Sequence, residues 1–179
     1  MVSQAGLFLL DVLVAFLSVV LLLRFFMQAC RVSFNNQVGT FVVEFTNWLV
    51  RPLRKILPGF YGLDLASLLP AYLLQVIFAL AVFLVRGGSE AWSLATWLSL
   101  LFWHGLLATL RLSIYLLIGA LLVQAVLSWI SPYSPLSQPV AQLTRPVLRP
   151  IQRFLPPIGG VDLSPLIAIV LAQLLLMFL

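Results

Sequence analysis

Residues 51–68, RPLRKILPGFYGLDLASL, lie without a gap over residues 149–166, RPIQRFLPPIGGVDLSPL. Eight of the eighteen aligned positions are identical, among them Arg51/Arg149, Pro52/Pro150, Pro58/Pro156, Gly62/Gly160 and Asp64/Asp162. The same register places Thr46 on Thr144 and Gln75 on Gln173, and after a two-residue slip upstream Leu21–Arg24 fall on Leu121–Gln124. Self-similarity of this extent marks two copies of one unit, so the fold is to be read from the unit.

Each copy is flanked by apolar segments, at about residues 7–27 and 63–85 in the first and 106–130 and 163–179 in the second. At 1.5 Å per residue these cross, or nearly cross, about 30 Å of hydrocarbon. Composition agrees: 63% of the 179 residues are hydrophobic and 8% charged, against about 45–50% and about 25% in soluble domains. So short a chain cannot hide that much apolar surface in a soluble core. The N-terminal run lacks a basic leading region and a small-residue cleavage site, which favours a retained first helix over a signal peptide. The expected fold is an all-α membrane protein with four transmembrane helices, arranged as two helix–amphipathic connector–helix repeats. Two spans per unit make the repeats parallel, related by an axis along the membrane normal. The units are residues 1–88 and 106–179. Residues 89–105, rich in tryptophan, read as a turn at Arg86-Gly87-Gly88 and a short interfacial helix. The alternative is one long third helix beginning near Glu90.

The two connectors carry the positive charge: Arg31, Arg51, Arg54 and Lys55 in one, Arg145, Arg149 and Arg153 in the other. With four spans they share a side, and the positive-inside rule puts that side in the cytoplasm, with both termini outside. Arg86 weighs the other way. Val38, Phe41, Val42, Phe45, Trp48 and Leu49 fall within about 120° of a helical wheel, opposite Gln37, Thr40, Glu44, Asn47 and Arg51. Leu136, Val140, Leu143 and Val147 repeat the pattern. Such helices lie in the interface with cations up and apolar residues down. Arg51-Pro52 and Arg149-Pro150 are expected to end or kink them, Pro146 even earlier.

These residues resemble the YggT family of small bacterial membrane proteins, which has relatives in plastids. The likeness rests on LLLRFFMQ and LVRPLRKILPGFYGLDLASLL, echoed by LLVQAVLSWISP and LTRPVLRPIQRFLPPIGGVDLSPL. It covers nearly the whole chain as two family units. The resemblance implies an inner-membrane or thylakoid location and a link to osmotic stress, cell division or nucleoid distribution, or cytochrome haem attachment. It brings no catalytic residues.

Charges within spans are functional hypotheses by default. Asp11 and Arg111 stand at equivalent depths of the first and third spans, so a pair across the pseudo-twofold axis is expected. The alternative is that each snorkels to the outer surface. Gln75 and Gln173 are expected to bind the second and fourth spans to each other. Arg24 is expected to snorkel to phosphate, and Asp64 and Asp162 to cap the spans they precede. One histidine, His104, and one cysteine, Cys30, cannot build a structural zinc site, and no nucleotide loop or nucleophile motif occurs. The expectation is therefore a protein with no catalytic residue, cofactor, metal or nucleic-acid ligand. Arg51, Arg54, Lys55, Arg145, Arg149 and Arg153 would form a surface for anionic lipid or a membrane-protein partner. A channel, transporter or osmotic regulator working as a homo-oligomer is the competing reading.

Overall fold

The computed structural model describes residues 2–57, 63–85, 94–131, 134–154 and 162–179. Six helices run in chain order: α1 Val2–Ala29, α2 Gln37–Ile56, α3 Leu65–Val85, α4 Leu94–Ile130, α5 Ser137–Phe154 and α6 Ser164–Phe178. No strand occurs among the described residues. α1, α3 and α4 are long and apolar enough to cross a bilayer. α6 is equally apolar, but its 15 residues reach only about 22 Å. The chain is thus an all-helical, multi-pass membrane protein. Its surface confirms the solvent it needs: Phe8, Leu13, Ile77, Leu98 and Phe178 are all more than half exposed, a wetting that only lipid tolerates on this scale.

The shorter helices pack on the long ones. α2 lies against α1 and α3, and α5 against α4 and α6. Its inward stripe is Gly39, Val42, Thr46 and Val50, spaced three or four apart. Val42 joins Val20, Met27 and Val32 in one buried cluster, while Val50 joins Leu21, Leu22, Ala66 and Ala71 in another. In α5 the stripe is Val140, Thr144 and Leu148, with Leu148 set among Leu121 and Ala168.

Three local expectations need correction. First, the apolar face read off the wheel is divided, with only part of it turned to the protein. Phe41, Phe45 and Trp48 are 50, 39 and 66% exposed. Phe41 stacks on Phe45, which meets Phe16 of α1 edge-on at 5.2 Å. These aromatics form an exposed apolar flank, and the smaller side chains take the protein-facing stripe.

Second, the prolines do not end the connectors. Pro52 lies inside α2, and Pro146 and Pro150 lie inside α5. Each removes one bond to the carbonyl four residues earlier. The three prolines and the residues four before them, Trp48, Gln142 and Pro146, are all exposed, so water or headgroups can satisfy the freed carbonyls.

Third, there is no break at residue 105. α4 is one helix of 37 residues, the longer of the two sequence alternatives. The turn expected at Arg86-Gly87-Gly88 lies outside the described residues. Gly105 lies within α4 at a point of close approach. A Cβ there would stand 2.4 Å from Val76 Cγ2 and 3.1 Å from Tyr72 Cε2 of α3. Trp97 packs on Phe83 of α3 with ring centroids 3.8 Å apart. The α4 start is therefore a packed helix against α3, whereas Trp103 is 58% exposed.

Candidate functional site

The elbow where α1, α2 and the start of α3 meet gathers three charges, two of them out of water and the third, Arg54, partly exposed. Arg24 is only 4% exposed and Asp64 only 3%. Arg24 cannot snorkel: its Nη1 donates to Thr46 Oγ1 at 2.7 Å, and Thr46 in turn donates to the Val42 carbonyl of its own helix. Its Nε has no hydrogen-bond partner among the described residues and stands 3.9 Å from Asp64 Oδ2. Arg54, near the end of α2, closes on the same carboxylate with two nitrogens, Nε at 3.3 Å from Oδ1 and Nη2 at 2.5 Å from Oδ2. Nη2 also reaches Gln28 of α1, and Ser67 Oγ donates to Asp64 at 2.7 Å.

Burial by itself would push the Asp64 carboxyl up. The hydrogen bonds from Arg54 and Ser67, with the charges of Arg54 and Arg24, outweigh it and hold the group below its ordinary range. Two guanidiniums around one carboxylate leave the elbow with one net positive charge. Asp64 sits just before α3, and its backbone carbonyl receives the Ser67 and Leu68 amides. Its carboxylate serves side chains instead of the orphan amides expected of a cap.

The second elbow repeats these contacts at the aligned positions with other chemistry. The Thr144 hydroxyl meets Gln124 and its own Val140 carbonyl. Gln152, aligned with Arg54, donates to Asp162 at 2.9 Å. Asp162 Oδ1 accepts the Ser164 amide at 2.9 Å, so this aspartate does receive a helix amide. It does so from one place further out than a cap, since the cap position is Leu163. Burial again acts to raise the Asp162 carboxyl, and the bonds from Ser164 and Gln152 bring it below its ordinary range. The Ser164 hydroxyl is buried without a partner among the described residues.

Of the six expected surface cations, Arg51, Lys55, Arg145, Arg149 and Arg153 are exposed and make no ion pair among the described residues. Arg54 is committed to Asp64. Cys30, just past α1, directs its thiol at the Leu143 carbonyl of α5 at 3.7 Å, and burial raises its pKa. It thus touches the other half of the chain.

Within the helices, Asp11 and Arg111 come together without touching. Both line one cavity of about 260 Å³ with Gln75 and His104. No direct ion pair joins them: Arg111 donates to the Leu179 carbonyl oxygen, and Asp11 has no polar partner among the described residues. Gln75 and Gln173 are not partners. Gln75 donates to Ser18 of α1 at 3.0 Å, and Gln173 is exposed on α6. Among the described residues, no three His, Cys, Asp or Glu side chains converge as metal ligands would.

The first elbow's ion cluster was not foreseen, although the alignment held the signal. Arginine becomes glutamine at both 24/124 and 54/152 while both aspartates persist. Paired loss of two cations is what one shared anion would produce.

A family model described as CCB3/YggT matches residues 3–85 and 103–179. The chain is 39% identical over 165 residues to uncharacterized protein YggT of Escherichia coli strain K12, covering 92% of this chain and 83% of that one. It is 35% identical over 175 residues to an uncharacterized protein of Pseudomonas aeruginosa, covering 97% and 87%. An uncharacterized protein of Vibrio alginolyticus is 39% identical over 162 residues, covering 89% and 85%. No solved structure matches. With both halves matched and relatives aligned over most of their length, the chain belongs to the CCB3/YggT family.

Proposed function

We propose that the protein is a non-catalytic organiser of the bacterial inner membrane, with four spans in two parallel units and a cytoplasmic surface that recruits anionic lipid or an acidic membrane partner. The observation that carries this reading is the set of five exposed cations, Arg51, Lys55, Arg145, Arg149 and Arg153, on two helices held against the apolar helices by their opposite stripes. Near a membrane surface each cation contributes about 1 kcal/mol toward anionic headgroups. Both termini then face away from the cytoplasm.

The test uses the full chain in nanodiscs of mixed phosphatidylglycerol and phosphatidylethanolamine. Replacing the five cations by glutamine should abolish the enrichment of phosphatidylglycerol around the protein and reduce co-purification of acidic partners. Unchanged enrichment in a variant with intact helix content and unchanged sidedness of labelling would count decisively against the proposal.

One observation favours a second reading. The cavity shared by Asp11, Gln75, His104 and Arg111 is polar within apolar helices, as a solute path in an oligomer would require. Ion or solute flux through purified protein in liposomes, lost on Asp11→Asn, would establish that reading over the first.

A further inference from the structure

The two halves of the molecule meet where α4 packs on α3 and on α1, and the seam between α1 and α4 is not filled by side chains. A cavity of about 490 Å³ opens on one side, bounded by Leu23 and Met27 of α1, Tyr115 and Gly119 of α4, and Val38 and Val140 of the two connectors. A second cavity of about 350 Å³ borders the same seam, with Leu116, Ala120 and Leu143 common to both. Both linings are almost wholly apolar. Close-packed protein does not leave voids of this size, because the lining atoms lose their dispersion partners. In a membrane the available filler is an acyl chain.

Two residues give the seam its direction. Gly119 forms part of the wall, and a Cβ built there meets nothing within 4 Å. The groove is therefore open at that point to something other than protein. Val32, just past the end of α1, also lines the cavity, and Arg31 precedes it. Arg31 is exposed, makes no side-chain hydrogen bond or ion pair among the described residues, and holds a left-handed backbone at φ 55°. That conformation is uncommon for a non-glycine residue. An exposed, unpaired arginine one residue from the lining of an apolar groove matches the chemistry of a phospholipid, with one anionic phosphate and a long apolar tail.

We propose that this seam is a phospholipid site, with an acyl chain against Gly119 and the phosphate at Arg31. The lipid completes the interface between the two halves. The proposal does not rest on the basic surface of α2 and α5, since neither Arg31 nor Gly119 belongs to it.

The full chain, reconstituted with phosphatidylethanolamine and phosphatidylglycerol and then transferred to mild detergent, is examined by native mass spectrometry. The wild type should retain one phospholipid per chain. Gly119→Leu should lower retention at least about tenfold with no loss of thermal stability, because leucine is the better helix former and enters open space. Gly119→Ala, which adds one methyl group, should keep most of the lipid and serves if the leucine variant does not fold. Gly6→Leu also enters open space away from the seam, and should change nothing. Arg31→Asn keeps a residue that accepts positive φ but removes the charge, and should weaken retention several-fold.

Wild-type protein without bound lipid, or full retention by Gly119→Leu, overturns the site. Retention unaffected by Arg31→Asn overturns the placement of the phosphate. A dimer that falls apart on Gly119→Leu, with no lipid bound to the wild type, assigns the groove to a second copy and overturns the lipid.

Discussion

The two elbows perform the same mechanical task with different chemistry. In the first, Arg24, Arg54 and Asp64 join α1, α2 and α3 through charge-assisted bonds. In the second, Gln124, Gln152 and Asp162 hold α4, α5 and the approach to α6 through an amide on each side. The second version keeps hydrogen bonds at these positions with one carboxylate and no arginine. Buried ion clusters often add little net stability over neutral replacements, yet removing one member is severe because the others stay buried and unpaired. The first elbow is therefore the more fragile of the two.

The comparison breaks most visibly at the aspartates. Asp64→Ala leaves Arg24 buried and unpaired, and should cost about 3–5 kcal/mol. Asp162→Ala removes two neutral-donor bonds at a half-buried site, and should cost about 1–3 kcal/mol. Equilibrium unfolding in mixed micelles measures both, and equal losses would mean that the charges in the first elbow have no separate effect.

Acid provides the second contrast. The Asp64 carboxyl lies below its ordinary value in the folded chain, so its contribution is complete above the unfolded value of about 3.9. It is lost as pH falls through the lowered folded value. Acid stability scans should show this loss, and it should shrink in a chain carrying Arg24→Gln and Arg54→Gln.

The threonines give a smaller split. Thr46→Val removes an acceptor from a buried guanidinium and should cost about 1.5–3 kcal/mol, against about 0.5–1.5 kcal/mol for Thr144→Val at the amide. The least effect is expected from converting the first elbow to the second's residues. Arg24→Gln with Arg54→Gln should stay within about 1 kcal/mol of the parent, well short of the summed single changes. Additive losses in that double variant would show that the elbows are not chemical alternatives for one geometry.

The helices, the aligned aspartates and the amphipathic connectors were legible because periodicity and self-similarity are local. The faces were harder. Lipid is as apolar as a protein core, so a wheel cannot tell Phe41, Phe45 and Trp48, which face outward, from Val42 and Val50, which face in. Repeat register put Asp11 level with Arg111 but carried no information on their direction around each helix. They consequently share a cavity without meeting. Gln75 found Ser18, a small hydroxyl on the adjacent helix, because symmetry of sequence does not make two equivalent residues neighbours. The continuity of α4 was open in the sequence, and so was its close approach to Val76 and Tyr72 of α3 at Gly105.

The 37 residues of α4 make a rod of about 55 Å. Even at the steep end of observed tilts, about 40°, it extends about 42 Å along the normal, as much as a whole bilayer with both headgroup layers. Thinning or thickening of the host membrane would favour a different tilt of this rod, since its own length is fixed. Through the bond between Gln124 and Thr144, α5 would swing with it, turning bilayer thickness into the attitude of a charged surface.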